Sequence, residues 1–167
     1  TLQDSSAASD VYKRQELLST RLGVHILAQL GVTAKWQDAR MTLQADEQSG
    51  TTMRHYLNAE VSATYQHELR QQWLQDLAQE SKASCWISQG FIASNHQGET
   101  VLLGRGGSDT SAAYLGVTLG AARVEIWTDV PGMFSANPRG VGSARQLRHL
   151  SYREAQEIAA TPVPRYC

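Results

Sequence analysis

The stretch Thr100-Val-Leu-Leu-Gly-Arg-Gly-Gly-Ser-Asp109 is the part of the sequence that decides the predicted fold. Its first four residues are a short β-prone run, and residues 110–119 follow with a small-residue, apolar helical pattern. Three glycines within the four positions 104–107 permit positive φ and let backbone N–H groups approach a ligand with no Cβ in the way. The stretch therefore predicts a strand, a glycine-rich loop and a helix, with the loop as a candidate ligand site.

Two side chains of this loop indicate an anionic ligand. Asp109 is predicted to be the N-cap of the helix, whose free first-turn N–H groups attract anions. The planar guanidinium of Arg105 suits a carboxylate or a phosphate. The spacing favours such binding over a purely structural turn. The loop is neither a Walker A loop nor a dinucleotide fingerprint, so those motifs leave the ligand open.

A second strand is predicted at residues 123–127, directly after the helix. Strand, helix and strand would form a βαβ unit, which must be parallel and right-handed. Ligands of such sheets bind beyond the carboxyl ends of the strands. Four polar side chains are expected at that edge: Arg105, Asp109, Thr128 and Asp129.

The rest of the chain reads as alternating helices and strands. Leu18, Leu22, Ile26 and Leu30 recur at helical spacing and Gly31 is a natural C-cap, which predicts a helix at residues 16–30. The other predicted elements are a strand at 32–36, a loop at 44–52, a long helix at 58–80 capped by Asn58, a β-prone run at 85–93, a turn at 95–98, and a helix at 150–160 with a Ser151–Glu154 capping box.

Composition favours a soluble globular protein in a reducing cytoplasm. The chain has 167 residues, 41% of them hydrophobic, and a formal charge of −1, which argues against nucleic acid as a partner. No apolar run approaches the ~20 residues of a membrane span. Cys85 and Cys167 give no disulfide framework, and the five histidines show no metal-ligand spacing.

Several motifs, in order, resemble aspartate kinase, within the amino acid kinase family. They are Glu16-Leu-Leu-Ser-Thr-Arg-Leu22, Gln89-Gly-Phe-Ile92, Leu103-Gly-Arg-Gly-Gly-Ser-Asp109, Ile126-Trp-Thr-Asp-Val-Pro-Gly132, Asn137-Pro-Arg139 and Ser151-Tyr-Arg-Glu-Ala155. The resemblance implies a three-layer α/β/α sandwich with a mainly parallel sheet. It also implies transfer of the γ-phosphoryl of ATP to the β-carboxylate of L-aspartate, the first step of lysine, threonine and methionine biosynthesis.

By the same resemblance, the substrate is held by three residues around the loop. Arg105 corresponds to the arginine that grips aspartate, and Glu16 to the glutamate that meets its amino group. Ser108 is expected beside them. Asp109 corresponds to the active-site aspartate that organises the catalytic lysine and the transferring group, so Asp109 and Arg105 are the predicted catalytic residues.

The nucleotide side is assigned by resemblance as well. Its predicted residues are Gly106, Gly107, Thr128, Asp129, Phe134 and Arg139. Mg²⁺ would arrive with ATP, held mainly by phosphates and water, so no protein metal ligand is predicted. The parent enzyme is expected to be a homo-oligomer, with small-molecule substrates and no nucleic-acid or membrane partner.

Both ends of the chain depart from the family pattern. Residues 1–15 are expected to be disordered or non-native, residues 16–160 to be part of the catalytic domain, and residues 161–167 to be a divergent tail. The family's Lys-Phe-Gly-Gly-Thr-Ser and Gly-Ala-Lys-Val-Leu-His-Pro segments have no match, and no lysine follows Lys82. We therefore expect an N-terminally truncated, inactive piece. The alternatives are a non-catalytic binding fragment or another amino acid kinase, of the glutamate or uridylate kinase type.

Overall fold

A computed structural model describes residues 2–46, 57–62, 71–75, 85–129 and 131–160. The elements, in order, are helix α1 (Leu2–Gln29), strand β1 (Ala34–Gln37), a 3₁₀ turn (Ala39–Met41), strands β2 (Cys85–Ser88), β3 (Ile92–Ser94) and β4 (Thr100–Leu102), and helices α2 (Gly107–Leu119) and α3 (Tyr152–Ala160). Residues 71–75 are also helical. The chain divides into two compact units, residues 1–124 and 125–167, and each is described by itself.

Helix α1 ends where the sequence predicts. Gly31 has a φ of +77°, its N–H donates to the Ala28 carbonyl at 3.1 Å, and the Val32 N–H donates to the Leu27 carbonyl at 2.9 Å. These two bonds are the pair that closes a Schellman C-terminus. The helix also includes residues 2–15, which the sequence predicted to be disordered or non-native. Their origin outside the family stays a prediction.

The first sheet is a parallel pair, β1 with β2, in which Ala34 pairs with Cys85 and Gln37 with Ser88. The predicted strand at 32–36 is thus confirmed with a shift of one to two residues. α1 packs on both strands. A parallel pair covered by a helix is the arrangement typical of α/β folds, and the predicted α/β class is confirmed.

The second sheet is an antiparallel hairpin of β3 and β4, with Ile92 opposite Leu102 and Ser94 opposite Thr100. Its turn is the predicted one: Asn95 Oδ1 accepts hydrogen bonds from the N–H groups of Gln97 at 3.1 Å and Glu99 at 2.8 Å. Side-chain acceptors of this kind pre-form tight turns, so the two short strands meet locally.

That hairpin contradicts the predicted parallel βαβ unit. β4 pairs with its immediate neighbour β3 rather than with the segment after α2. Residues 123–127 form no strand among the described residues, and their side chains are exposed. A strand needs a partner with free backbone groups. β4 is paired with β3 on one edge, and its Leu102 carbonyl accepts the Ala59 N–H at 2.8 Å.

The predicted helix at 58–80 is wrong at its beginning. Val61 is buried and forms an antiparallel bridge with Ala45. The Ser62 N–H donates to the Gln44 carbonyl, and the Asp46 N–H donates to the Glu60 carbonyl, both at 2.8 Å. Asn58 therefore caps no helix, because the chain that follows pairs with residues 44–46. Most of the rest of the predicted helix lies outside the described residues. Residues 47–52 of the predicted loop also lie outside them.

The buried core lies between the 3₁₀ turn, the residues after it and the hairpin. Its apolar members are Ala39, Leu43, Ala45, Val61, Ile92, Ala93, Val101, Leu102 and Leu103. Leu17 of α1, and Tyr114 and Leu115 of α2, pack against this cluster. The glycine loop begins at Gly104, directly after the buried Leu103 of this core. None of the helices that the structure describes combines the length and apolar character required to cross a bilayer.

The second unit contains α3 and the loops before it. The Leu147 N–H donates to the Met133 carbonyl at 2.8 Å, next to a bridge between Phe134 and Gln146. α3 begins with the predicted capping box: the Glu154 N–H donates to Ser151 Oγ at 3.2 Å, and the Ser151 N–H donates to Glu154 Oε2 at 2.8 Å. These bonds satisfy two N–H groups at the helix start.

Candidate active site

The glycine loop turns through two left-handed residues, Gly104 with a φ of +72° and Gly106 with a φ of +73°. Gly106 is the N-cap of α2, and its carbonyl accepts the Thr110 N–H at 3.0 Å. The prediction that Asp109 is the N-cap is therefore wrong. The left-handed Gly106 begins the helix earlier, so Asp109 lies within the first helical turn.

This position leaves the side chains of the loop facing outward. Arg105, Ser108 and Asp109 are all exposed. Among the residues that the structure describes, no side chain pairs with the Arg105 guanidinium or the Asp109 carboxylate. A cation and an anion at a helix N-terminus, neither of them neutralised within the described chain, are well placed for a charged ligand.

The loop is held in place by residues 90 and 91. At Gly90, a Cβ would lie 2.9 Å from the Ser108 Cα, so only glycine allows this approach between the two segments. Phe91 has a φ of +68°, which is uncommon for a residue with a side chain. Because such backbone strain concentrates at functional sites, the 90–91 segment belongs with the loop.

Ser111 supports this strained residue. Its hydroxyl accepts the Phe91 N–H at 3.1 Å and donates to the Gly107 carbonyl at 2.8 Å, and the residue is buried. The Phe91 carbonyl accepts the Leu103 N–H at 2.9 Å. Sequence reasoning missed Phe91 and Ser111 as site residues. Only their positions, beside Gly90 and within the first turns of α2, could have indicated them.

Glu16 lies on α1, and its side chain is partly buried. Burial raises the pKa of the Glu16 carboxyl above its ordinary value. The carbonyl of Glu16 accepts hydrogen bonds from the hydroxyls of Ser19 at 3.1 Å and Thr20 at 2.9 Å. These two hydroxyl groups hold the helical turn that begins at Glu16.

The carboxyl end of β1 carries an ion pair that ties the two sheets together. Arg40 Nε donates to Asp38 Oδ1 at 2.9 Å, Arg40 Nη2 to Asp38 Oδ2 at 2.5 Å, and Arg40 Nη1 to Thr100 Oγ1 at 3.1 Å. Burial works to raise the pKa of the Asp38 carboxyl, but the hydrogen bonds and charge of Arg40, with the charge of Arg21, lower it overall. The same pairing raises the pKa of Arg40.

The predicted nucleotide residues of the second unit are exposed or half-buried. The Thr128 hydroxyl donates to Asp129 Oδ1 at 3.3 Å, so the structure brings these two together. Phe134 is half-buried, and the exposed Arg139 donates its backbone N–H to Asn137 Oδ1 at 2.9 Å. The prediction that Thr128 and Asp129 share a sheet edge with Arg105 and Asp109 was based on the βαβ unit, which the described residues do not form. The assignment of all four residues to the nucleotide is based on the resemblance and stays a prediction.

Comparison with known proteins identifies the class. A sequence model described as the amino acid kinase family matches residues 4–162. The chain belongs to the amino acid kinase family, as its motifs predicted. The match begins inside the segment that the sequence assigned to non-family chain.

Within that family the chain is similar to aspartokinases of Escherichia coli (strain K12). It is 38% identical over 159 residues to lysine-sensitive aspartokinase 3, covering 95% of this chain and 33% of that protein. It is 38% identical over 156 residues to bifunctional aspartokinase/homoserine dehydrogenase 2, covering 93% of this chain and 18% of that protein.

A solved structure agrees with these relatives. The crystal structure of E. coli aspartokinase III in complex with aspartate and ADP (R-state) has a TM-score of 0.74 and 37% identity, over 93% of this chain and 32% of that one. The chain thus spans about a third of the length of aspartokinase 3, and less of the bifunctional enzyme.

Proposed function

We propose that this chain contributes to an aspartate kinase, which transfers the γ-phosphoryl group of ATP to the β-carboxylate of L-aspartate and forms 4-phospho-L-aspartate. The observation that carries the proposal is the exposed pair Arg105 and Asp109 at the beginning of α2, on a loop fixed against Gly90 and Phe91. The similarity to aspartokinases over most of the chain supports it.

The proposed substrate site uses charge complementarity. Arg105 binds a carboxylate of L-aspartate with its planar guanidinium, a contact that is strong and directional. Glu16 binds the ammonium group, and Ser108 offers its hydroxyl and its backbone N–H, which belongs to the first turn of α2. Burial raises the pKa of the Glu16 carboxyl, so pairing with an ammonium group offsets a cost that the free carboxylate carries.

The proposed nucleotide residues are those that the resemblance implies. Gly106 and Gly107 present N–H groups to phosphate oxygens, and Asp109 orients the transferring group. Thr128, Asp129, Phe134 and Arg139 are the further residues proposed to hold ATP. Mg²⁺ enters with ATP and neutralises phosphate charge, bound mainly by phosphate oxygens and water. Phosphoryl transfer needs positioning and charge stabilisation more than covalent chemistry, which suits this residue set.

Ligand selectivity tests the proposal. Isothermal titration of the 167-residue chain with L-aspartate, L-glutamate and uridine monophosphate should give binding of L-aspartate in clear preference to the other two. Preference for glutamate or for uridine monophosphate would indicate another amino acid kinase. No binding of any of the three would contradict a substrate site in this chain. The homo-oligomeric state implied by the resemblance and the cytoplasmic location favoured by the composition stay predictions.

A further inference from the structure

Gln89 is the one large polar side chain in the described core. The residue is 1% exposed, and both ends of its amide are used. Oε1 accepts the Ala39 N–H at 2.9 Å, and Nε2 donates to Thr20 Oγ1 at 2.7 Å. A buried amide is costly unless it is hydrogen-bonded, so its two partners fix where this side chain lies.

Thr20 is the point at which three elements meet. Its hydroxyl accepts from Gln89 Nε2 and, at 3.0 Å, from Trp36 Nε1 of β1. It donates to the Glu16 carbonyl at 2.9 Å, with the Leu17 carbonyl at 3.2 Å. A hydroxyl has one donor and two acceptor sites, and here every one is occupied. Trp36 Nε1 and Gln89 Nε2 can only donate, so neither can accept the Thr20 hydroxyl proton. That proton is therefore donated to the carbonyls of α1.

The arrangement connects Glu16 to the strands. The hydroxyl proton is held at the Glu16 carbonyl, four residues earlier on the same turn of α1. The two bonds that the oxygen accepts come from β1 and from the residue directly after β2. The backbone that carries the Glu16 carboxyl is therefore fixed to the carboxyl ends of the parallel pair.

The other side of Gln89 connects to the glycine loop. Its neighbour Gly90 approaches the Ser108 Cα so closely that no side chain fits between them. The next residue, Phe91, donates its N–H to Ser111 of α2. Residues 89–91 thus contact the Glu16 turn through one side chain and the Arg105 loop through the backbone.

We propose that Gln89 is a positioning residue, which holds Glu16 at a fixed place relative to the glycine loop and so sets the preference of the site for a substrate with an amino group. This inference rests on the proposed binding of L-aspartate. Gln89 itself touches no substrate. Gln89 aligns the Glu16 carboxylate, which binds the substrate ammonium group, with the Arg105 guanidinium, which binds a substrate carboxylate.

The test compares L-aspartate with succinate, the dicarboxylate that lacks the amino group. Gln89→Leu keeps the approximate volume and removes both hydrogen bonds. Thr20→Val removes the shared hydroxyl and leaves the bond between Gln89 and Ala39 intact, so it carries the same test if Gln89→Leu fails to fold. Gln97→Leu, at an exposed position of the hairpin turn, is the matched control, and Thr20→Ser keeps the hydroxyl.

Titration calorimetry should show the L-aspartate Kd raised about tenfold in Gln89→Leu and Thr20→Val, with the succinate Kd changed less than about twofold. The double variant should lose no more than either single variant, because both remove the same connection. Thr20→Ser and Gln97→Leu should bind like the unmodified chain. Equal weakening of L-aspartate and succinate, or no change in either, would overturn the proposal.

A ligand-free measurement separates this inference from the proposed function. The pKa of the Glu16 carboxyl, followed by NMR titration, should fall toward its ordinary value in both Gln89→Leu and Thr20→Val, because a released turn exposes the group. If the unmodified chain binds no L-aspartate, the proposed function fails, and this titration still decides the positioning role. An unchanged pKa of Glu16 in both variants would refute it.

Discussion

Arg105 is exposed and has no partner among the described side chains, so its charge is available for a ligand. Removing it by Arg105→Ala should raise the Kd for L-aspartate by about 30-fold or more, since truncating one member of a desolvated charge pair costs roughly 2–5 kcal/mol. ATP affinity should stay within about twofold. Calorimetric titration with each ligand measures both.

The matched control for this change is Arg148→Ala, which removes an exposed arginine of the second unit. It should leave the L-aspartate Kd unchanged. Equal weakening of ATP and L-aspartate binding by Arg105→Ala would show that the assignment of the guanidinium to L-aspartate is wrong.

Asp38 and Arg40 form the best-defined ion pair of the described chain, and it gives a pH-dependent stability. The pKa of Asp38 is lowered in the folded chain, so the folded state favours the carboxylate. The stabilisation is present above the unfolded-state pKa of about 3.9 and is lost as pH falls through the lower folded value. Asp38→Asn should therefore reduce the free energy of unfolding at pH 7, by about 1 kcal/mol for a partly exposed pair.

Urea denaturation at pH 7 and pH 3 measures this difference. The gap between the unmodified chain and Asp38→Asn should narrow at pH 3. A gap of the same size at both pH values would mean that hydrogen-bond geometry, and not charge, accounts for the contribution of Asp38. Asp10→Asn, at an exposed pair with Lys13, is the control and should have little effect at either pH.

At the scale of elements, the residues after the 3₁₀ turn are bound to the hairpin. The Ser94 N–H donates to the Leu43 carbonyl at 2.9 Å, and the Ala45 N–H donates to the Ser94 carbonyl at 2.7 Å. Leu43 is 1% exposed. Leu43→Ala should lower the free energy of unfolding by about 2–5 kcal/mol through the lost burial and the cavity left behind.

Leu30→Ala, at the exposed end of α1, is the comparison for this change, because Leu30 is 72% exposed. Denaturant titration of both variants should place the large loss at Leu43 alone. A loss at Leu30 as large as that at Leu43 would show that Leu30 is buried in solution.

Elements specified by local chemistry were predictable from the sequence. The end of α1 follows from Gly31, the hairpin turn from Asn95, and the start of α3 from Ser151 and Glu154. In each case a side chain or a glycine satisfies backbone groups within a few residues. These signals depend on no distant part of the chain.

Elements specified by pairing partners were not predictable. The run at 123–127 has β-prone residues, yet β4 pairs with β3, and Val61 pairs with Ala45 in place of starting a helix. The same limit applies to the site. Arg105 and Asp109 were indicated by their motif, whereas the strained Phe91, the buried Ser111 and the Gln89 connection depend on contacts between segments far apart in sequence.

At the scale of the whole molecule, the proposed substrate residues lie in a chain that matches only part of the length of its relatives. The match with aspartokinase 3 includes 95% of this chain but only 33% of the length of that protein. Its lysines are Lys13, Lys35 and Lys82, and none lies in a segment that resembles the family's lysine motifs. Lys35 stands over the ring of Trp86, with Nζ 4.9 Å from the centroid. The glycine loop therefore has Arg105 as its own cation and no lysine next to it in sequence.

These features predict that the 167-residue chain binds L-aspartate without turning over ATP. Developing charge on the transferred phosphoryl group must be met by preorganised donors, and the loss of one such donor costs ~10²–10³ in rate. An ADP-release assay with L-aspartate and MgATP should give no rate above that of Asp109→Ala. Replacing the matched segment of aspartokinase 3 by residues 4–162 should yield an active chimaera, and Asp109→Ala should abolish its activity. L-aspartate-dependent turnover by the chain alone would mean that another of its groups, such as Arg139, supplies the missing charge.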